Sequence, residues 1–245
     1  MDARPGMDRA APGLSINEFR RIMTLDVSIV IPTYNEVSLI GHLLARLHDT
    51  APGSEVIVAD GGSEDGTIDA VGERAVVIRA EKGRAIQMNA GARAATGNVL
   101  WFLHADCQPP DRAVELIRSA LEDESVVGGG FRWGLEPSTW YYEFCTRAAH
   151  LKNRLRKNLF GDMGIFVRTD IFNGLGGYAE IPLMEEVEFN RRLRRKGRTV
   201  ILDEVLRSSD RKLAKEGWLW AFIKNDIIKA AYALGFSPHF LAKFY

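Results

Sequence analysis

The stretch VLWFLHAD, Val99–Asp106, decides the fold of this chain, because a run of five apolar residues in it leads to an acidic residue. A short apolar run of this kind is typical of a strand that is buried on both faces of a sheet. A second run, Val56–Ala59, ends in the same way at Asp60 and is followed by GGSEDGT. Two carboxylates at two strand ends suit a site where a cation and a nucleotide diphosphate meet, and they predict an enzyme that uses a sugar nucleotide.

Strands and helices alternate through the first half of the chain. Strands are predicted at Val27–Pro32, Val56–Ala59, Ala75–Arg79 and Val99–Leu103, and a helical pattern follows each of them. Asn35 is the predicted cap of the first helix. The alternation predicts an α/β domain of the Rossmann type with a mixed, mostly parallel central sheet.

After Ser125 the pattern changes. The elements predicted there are a glycine-rich strand at Val126–Trp133, a helix at Thr139–Leu159, a strand at Gly161–Val167, a helix at Glu185–Lys196, a strand at Arg198–Leu202 and an amphipathic helix from Glu216. We expect residues 1–25 to form a flexible tail and residues 26–206 to form the main domain. Residues 207–245 are expected to form a helical extension that packs on the domain, on a partner subunit or on a membrane surface.

The composition is that of an ordinary folded protein, with 46% apolar and 26% charged residues. The 32 Lys and Arg residues balance 32 Asp and Glu residues, so the chain lacks the basic footprint of a nucleic-acid-binding domain. Cys107 and Cys145 show no disulfide or zinc-site spacing, which predicts a reducing cytoplasm. The sequence has neither a signal-peptide core nor the roughly 20 apolar residues of a membrane span. We therefore expect a cytoplasmic protein, free or peripheral at the inner face of the membrane.

The first strand leads into IPTYNE, whereas a dinucleotide-binding fold has a glycine-rich GxGxxG turn at this place. Together, several segments resemble the family 2 glycosyltransferases of the GT-A fold. They are IPTYNE at Ile31–Glu36, ADGGSEDGT at Ala59–Thr67, KGRAIQMNAGA at Lys82–Ala92, LHAD at Leu103–Asp106, GDMGIFVR at Gly161–Arg168 and IPLMEEVEF at Ile181–Phe189. The resemblance covers Val27–Leu206, is greatest to small single-domain bacterial members, and implies inverting transfer of a sugar from a nucleoside diphosphate to an acceptor hydroxyl.

The resemblance also implies a role for each matching residue. Contacts with the donor nucleotide sugar are implied for Pro32, Thr33, Tyr34, Glu36, Asp60, Gly61, Ser63, Lys82, Arg84, Gln87, Asn89, His104, Ala105, Arg207 and Arg211. Gly161, Asp162 and Met163 would border the acceptor site. Asp106 would hold Mg²⁺ or Mn²⁺, since hard cations prefer oxygen ligands. Glu186 would be the catalytic base that deprotonates the acceptor, with Glu185 as the other candidate.

Two departures from the family pattern leave alternatives open. His104 stands where the family has the first acidic residue of a DxD motif, and Glu186 stands where it has an aspartate. One alternative is therefore a catalytically weak sugar-nucleotide-binding module, and another is a nucleotidyltransferase on a similar fold.

The basic run between Arg191 and Arg198 fits either a solvated helix face or a phosphate contact. The acceptor could be a small molecule, a glycan or a lipid-linked compound, and Trp218 and Trp220 suggest a membrane contact or a homodimer.

Overall fold

The computed structural model describes residues 25–245, apart from the side chains of Arg156 and Lys212. The predicted tail, residues 1–25, lies outside this range except for its last residue. The strands are β1 (Val27–Thr33), β2 (Glu55–Asp60), β3 (Val76–Arg79), β4 (Val99–Phe102), β5 (Cys107–Gln108), β6 (Val126–Glu136), β7 (Phe166–Arg168) and β8 (Arg198–Ser209). The helices are α1 (Val37–Thr50), α2 (Thr67–Val71), α3 (Arg84–Ala94), α4 (Ala113–Ala120), α5 (Trp140–Arg156), α6 (Thr169–Gly174), α7 (Glu185–Leu193), α8 (Arg211–Glu216), α9 (Trp218–Ala233) and α10 (Pro238–Leu241).

Within residues 25–245, the eight strands form one sheet in the order β3-β2-β1-β4-β7-β6-β8-β5. Strands β3, β2, β1 and β4 are parallel neighbours, and β6 is parallel to β8. Strand β7 runs antiparallel to β4 and β6, and β5 runs antiparallel to β8. The sheet is therefore mixed and mostly parallel, as predicted, and it brings the carboxyl ends of β1, β2 and β4 to one edge.

Helices cover both faces of the sheet, which explains why its central strands are apolar throughout. Ile29 and Trp101 belong to a buried cluster with residues of α1 and α4. Val30 and Phe102, their neighbours along the same strands, belong to a second cluster with residues of α3, α6 and α7. Because alternate strand residues point to opposite faces, a strand covered on both sides must be apolar at every position.

Two local predictions are wrong. The segment predicted as a strand at Gly161–Val167 begins with a short 3-10 helix, Gly161–Met163, and Gly164 turns the chain with a left-handed φ of 59° before β7. Asn35 does not cap α1, because its own φ is 56° and its Oδ1 accepts a hydrogen bond from the Glu64 N–H at 3.0 Å. The N-cap residue of α1, Glu36, makes no side-chain cap, and Asp65 Oδ2 instead accepts a hydrogen bond from the Val37 N–H at 3.1 Å.

The second half also differs from its predicted boundaries. Strand β8 continues to Ser209, well past the predicted end at Leu202, because it pairs with β6 almost to the end of both strands. It therefore crosses the expected boundary at residues 206–207. Helix α9 buries Ala221 and Ile228 and leaves other apolar side chains exposed. A search of the described residues finds no helix with the length and apolar character that crossing a membrane requires.

Candidate functional site

The ends of β1 and β2 bring two incompletely hydrogen-bonded side chains together. Asp60 lies opposite Thr33 in the parallel register. Its Oδ2 accepts hydrogen bonds from the N–H groups of Gly62 and Ser63, each at 2.9 Å. Its Oδ1 and the Thr33 hydroxyl are buried and have no hydrogen-bond partner among residues 25–245. Because an unpaired buried polar atom is costly, we expect a ligand to satisfy these two atoms.

The Gln87 side chain links the ends of the same two strands. Its Nε2 donates hydrogen bonds to the carbonyls of Thr33, at 2.6 Å, and Ala59, at 2.9 Å. A Cβ added at Gly61 would lie 3.0 Å from the carboxamide carbon of Gln87, so the loop passes this side chain closely. The contacts of Gln87 thus favour a positioning role over direct contact with a nucleotide.

Three other predicted site residues have buried side chains. Asn89 is buried and exchanges two hydrogen bonds with the backbone of Tyr178, each at 2.9 Å. Met163 is 1% exposed and packs in the core beneath the sheet. The Ala105 side chain is also buried in the core. Their side chains pack within the protein, and the ligand contacts predicted for these three positions stay predictions.

The loop after Pro32 forms a rim beside Asp60 and Thr33. The Nζ of Lys82 lies 3.8 Å from the centre of the Tyr34 ring, a cation–π distance. The hydroxyl oxygen of Ser63 accepts a hydrogen bond from the Asn35 N–H at 2.9 Å, which links the loop after β1 to the loop after β2. The exposed Tyr34 ring and the Lys82 cation are available to a base or a phosphate.

A group of acidic side chains forms where β4 ends. Burial raises the pKa of Asp106, and the negative charges of Glu36 and Asp162 raise it further. Burial also raises the pKa of Asp162. Arg211 pairs with Glu36 at 3.0 Å and balances part of this charge. The fold thus brings together four predicted site residues from separate segments of the chain, namely Glu36, Asp106, Asp162 and Arg211.

This acidic group is compatible with a divalent cation that bound phosphate oxygens help to hold. Among residues 25–245, no three His, Cys, Asp or Glu side chains are arranged to bind a metal by themselves. Mg²⁺, however, is usually bound by one or two carboxylates together with substrate phosphates. Asp106 is incompletely buried, and its ionised form is disfavoured by neighbouring carboxylates, so a cation beside it would relieve that repulsion. Asp106 therefore fits the role of a metal ligand.

Glu185 and Glu186 begin α7 and are both buried. Arg84, the first residue of α3, pairs through Nε with Glu185 and through Nη2 with Glu186 Oε1 at 3.0 Å. Burial raises the pKa of Glu186 to about 7, with the charge of Glu185 adding to it and Arg84 opposing it. A carboxylate with this pKa gains and loses a proton readily at neutral pH, as a general base must.

Gly161 lies where Glu186 and His104 converge. A Cβ added at position 161 would collide with Oε1 of Glu186 and lie 2.9 Å from Nε2 of His104. That nitrogen is buried and without a hydrogen-bond partner in the described part of the chain. Burial and the charge of Arg84 lower the pKa of His104 to about 3, so the ring is neutral. A neutral imidazole offers one N–H donor and one acceptor to a bound substrate.

Arg207 lies on the other side of the acidic group. Together with Ala105 and Asp106, it lines a cavity of about 560 Å³ beside β5. Its Nη1 donates a hydrogen bond to the Leu135 carbonyl at 3.1 Å and lies 3.3 Å from Glu143 Oε1. The charge of Arg207 is thus shared between this cavity and contacts within the protein.

Two further residues, which belong to none of the sequence motifs, act on the carboxyl groups of the site. Tyr178 is buried, its hydroxyl has no hydrogen-bond partner within the described range, and its pKa is raised by burial and by Glu186 and Glu185. Lys229 of α9 acts on Asp162 and lowers the pKa of that carboxyl. Both arrive through tertiary packing of distant segments, and no spacing in the sequence could have identified them.

A family model described as glycosyl transferase family 2 matches residues 28–173. Glycosyltransferase AglE of Haloferax volcanii is 29% identical over 168 residues, covering 62% of this chain and 55% of AglE. The dolichol-phosphate mannosyltransferase of Pyrococcus furiosus is 25% identical over 242 residues, covering 83% of this chain and 68% of that protein. The chain thus spans little more than half the length of AglE.

The fold has solved counterparts. The structure of mannosyltransferase PcManGT from Pyrobaculum calidifontis, in complex with GDP-Man and Mn²⁺, matches with a TM-score of 0.65 and 20% identity. The match covers 89% of this chain and 69% of that one. A likeness at this identity establishes the fold alone, and it confirms the predicted GT-A-like α/β architecture.

Proposed function

Since the chain belongs to glycosyl transferase family 2, we propose that it transfers a sugar from a nucleoside-diphosphate donor to an acceptor hydroxyl with inversion at the anomeric carbon. The family assignment confirms the resemblance carried by the sequence motifs. The observation that carries the proposed reaction is the convergence of Glu186, His104 and Gly161 near the acidic group of Asp106. A proton acceptor and an anionic metal-ligand candidate are the two chemical groups that such a displacement uses.

The donor nucleotide lies at the ends of β1 and β2 in this proposal. Asp60 Oδ1 accepts a hydrogen bond from the base or the ribose, which satisfies its buried free oxygen. Tyr34 stacks on the base, and Lys82 meets negative charge at the rim. Gln87 keeps the two strand ends at a fixed separation, so the pocket is formed before the donor binds.

Glu186 acts as the base in the proposed displacement. As the acceptor oxygen attacks the anomeric carbon, its proton moves to a carboxylate oxygen of Glu186, and the bond from that carbon to the diphosphate oxygen breaks. Glu186 is favoured over Glu185 because its Oε1 lies next to Gly161, which belongs to the predicted acceptor segment, and because Glu186 is the less deeply buried of the two. Glu185 is 1% exposed and is hydrogen-bonded to Arg84, so its role is to orient that guanidinium.

Asp106 would hold a Mg²⁺ or Mn²⁺ ion, with donor phosphate oxygens completing its ligand set. When bound, such an ion supplies Lewis-acid stabilisation of the charge on the leaving diphosphate. The complex of PcManGT with GDP-Man and Mn²⁺ supports a metal and a nucleotide sugar for this chain. Arg211, held near Asp106 by Glu36, adds positive charge on the same side.

The test of the donor site is a calorimetric titration with UDP, GDP, dTDP, CDP and their common sugar derivatives, each with Mn²⁺ and with EDTA. The wild-type protein should bind one nucleotide series with the metal, and Asp106→Asn should weaken that binding. Failure to bind any of the four under either condition would remove the donor-site premise.

The two alternatives predict different products. A nucleotidyltransferase would release pyrophosphate from a nucleoside triphosphate and a sugar phosphate, whereas the proposed enzyme releases a nucleoside diphosphate. A binding module would hold the nucleotide sugar without turnover in the presence of any acceptor. Product analysis after incubation with the donor identified by calorimetry separates these outcomes.

Helices α5 and α9 both expose apolar side chains that suit a membrane surface. The helices contact each other through Tyr141 and Trp218, whose rings are 5.2 Å apart. The exposed apolar side chains on them are Trp140, Phe144, Leu151, Leu155, Leu219, Trp220, Ile223 and Ile227. Tryptophan favours the membrane interface, and exposed patches of this extent mark contact surfaces. We propose peripheral contact with a membrane, the competing use being contact with a second subunit.

A further inference from the structure

A second cavity, of about 770 Å³, lies between α5, α7 and α9, away from the strand ends that hold the nucleotide site. Its walls carry five cationic side chains and one acidic side chain. They are Lys152, Arg191, Arg194, Arg195, Lys229 and Asp226. The chain as a whole is neutral, so this excess of positive charge is local.

The end of helix α7 explains only part of this charge. Cations near the C-terminus of a helix are stabilised by its dipole, which accounts for arginines at positions 191, 194 and 195 without any ligand. Lys152 comes from α5 and Lys229 from α9, however, and both line the same space. Asp226 pairs with Lys152 at 3.3 Å. Three helices therefore supply positive charge to one cavity.

The cavity adjoins the proposed acceptor side of the site. Phe160 and Met184 line it, and they directly precede Gly161 and Glu185 in the chain. The Nζ of Lys229 lies 4.3 Å from the centre of the Phe160 ring, and its charge acts on Asp162. A molecule bound in the cavity therefore lies on the same side as the carboxylates that face the acceptor.

Asn190 gives an independent indication of a polar ligand. Its side chain lines the cavity and is 4% exposed, and its Nδ2 donates a hydrogen bond to the Lys157 carbonyl at 3.1 Å. Its Oδ1 has no hydrogen-bond partner among the residues that the structure describes. This oxygen needs a hydrogen-bond donor, such as a hydroxyl of the acceptor or a water, because phosphate oxygens are themselves acceptors.

We propose that this cavity binds a phosphate or diphosphate group carried by the acceptor, an inference that rests on the proposed glycosyl transfer. Guanidinium and ammonium groups from three sides suit a compact, multiply charged anion, and arginine matches phosphate oxygens in pairs. The acceptor is held by its anionic group in the cavity, and its hydroxyl reaches Glu186.

The first experiment measures binding of inorganic pyrophosphate by calorimetry, in EDTA so that metal-bridged binding at the donor site is removed. The proteins are the wild type, the double variant Arg191→Gln/Arg195→Gln and the matched double variant Arg154→Gln/Lys196→Gln. The matched pair removes the same charge from residues that do not line the cavity. We expect the cavity variant to bind pyrophosphate at least tenfold more weakly than the wild type and the matched variant to change less than twofold.

Nucleoside diphosphate binding with Mn²⁺ is measured on the same three proteins. It should be unchanged in all of them, which shows that each variant is folded and that the donor site is intact. No pyrophosphate binding by the wild type, or an equal loss in both variants, would overturn the inference. If the wild type binds no nucleotide, the proposed function fails independently of the cavity.

Transfer assays then identify the source of the phosphate. Glucose 1-phosphate and a short-chain polyprenyl diphosphate glucose in detergent are offered as acceptors with the donor found by calorimetry, because each carries sugar hydroxyls beside its anionic group. Turnover of either one that falls at least tenfold in the cavity variant, through KM more than kcat, supports the inference and assigns a soluble or a lipid acceptor. Equal turnover in the cavity variant and the wild type would overturn it.

Discussion

Replacing Arg84 by Gln should move the acid limb of the kcat profile to higher pH, because Arg84 is the cation that opposes the raised pKa of Glu186. With a pKa of about 7, a carboxylate that acts as a base gives a rate that rises with pH through neutrality and then levels off. Arg84 Nη2 lies 3.0 Å from Glu186 Oε1. Without this charge the ionised form of Glu186 is less stable, so the limb must move upward.

The magnitude follows from Coulomb's law. Two unit charges about 4 Å apart attract by about 4 kcal/mol at an effective dielectric constant of about 20, which corresponds to roughly three pH units. The Arg84 side chain is 36% exposed, so solvent screens part of this energy. We therefore expect the limb to move by about one to two pH units.

The assay is the pH dependence of kcat at saturating donor and acceptor, followed by release of the nucleoside diphosphate. Arg84→Lys is the control, because it keeps the charge and should keep the limb within a few tenths of a unit. Thermal unfolding of each variant shows whether the buried carboxylates are still tolerated. An unmoved limb in Arg84→Gln, or an equal movement in Arg84→Lys, would refute the assignment of Glu186 as the base.

Four other outcomes are expected. Glu186→Gln should lower kcat by about 10²- to 10⁴-fold without changing nucleotide affinity in calorimetry, and near-normal turnover would exclude it as the base. The pKa of Glu186 rises from 4.5 to about 7 on folding, so its ionisation opposes folding increasingly as the pH rises through that range. Glu186→Gln should therefore be more stable than the wild type at pH 8, by at most about 3 kcal/mol in urea unfolding. At pH 5 the difference in stability should be much smaller. Gly161→Ala should abolish most turnover, because the new methyl group would contact Glu186 and His104. The control Gly174→Ala should leave the rate unchanged, because a methyl group there meets nothing within 4 Å. Similar rates in the two variants would contradict the geometry. Trp220→Ser/Ile223→Ser should reduce cosedimentation with anionic vesicles, and loss of a dimer in light scattering instead would assign the apolar surface to a second subunit.

The sequence predicted the parts of the fold and site that depend on local patterns. Apolar runs that end in Asp60 and Asp106 predict strands whose carboxyl ends meet, because parallel strands bring those ends to one edge.

Long-range contacts could not be predicted in this way. Asn89 lies in the same motif as Gln87, yet its side chain is used to hold the backbone of Tyr178, 89 residues away. The length of β8 depends on its pairing with β6, and nothing within the β8 segment indicates where that partner ends. The contribution of Lys229 to the site similarly requires α9 to pack back onto the domain. Such contacts are set by tertiary packing, which local patterns do not encode.

The histidine at position 104, where the family has an acidic residue, affects the neighbouring base Glu186. A carboxylate at position 104 would lie beside Glu186, as the shared contact with position 161 indicates, and would add a like charge in a buried place. That repulsion would raise the pKa of Glu186 above its present value of about 7, and less of the base would be ionised at neutral pH. The neutral His104 ring avoids this effect and still offers a hydrogen-bonding nitrogen. Asp106 then remains as the acidic member of the motif, and the departure is compatible with an active base.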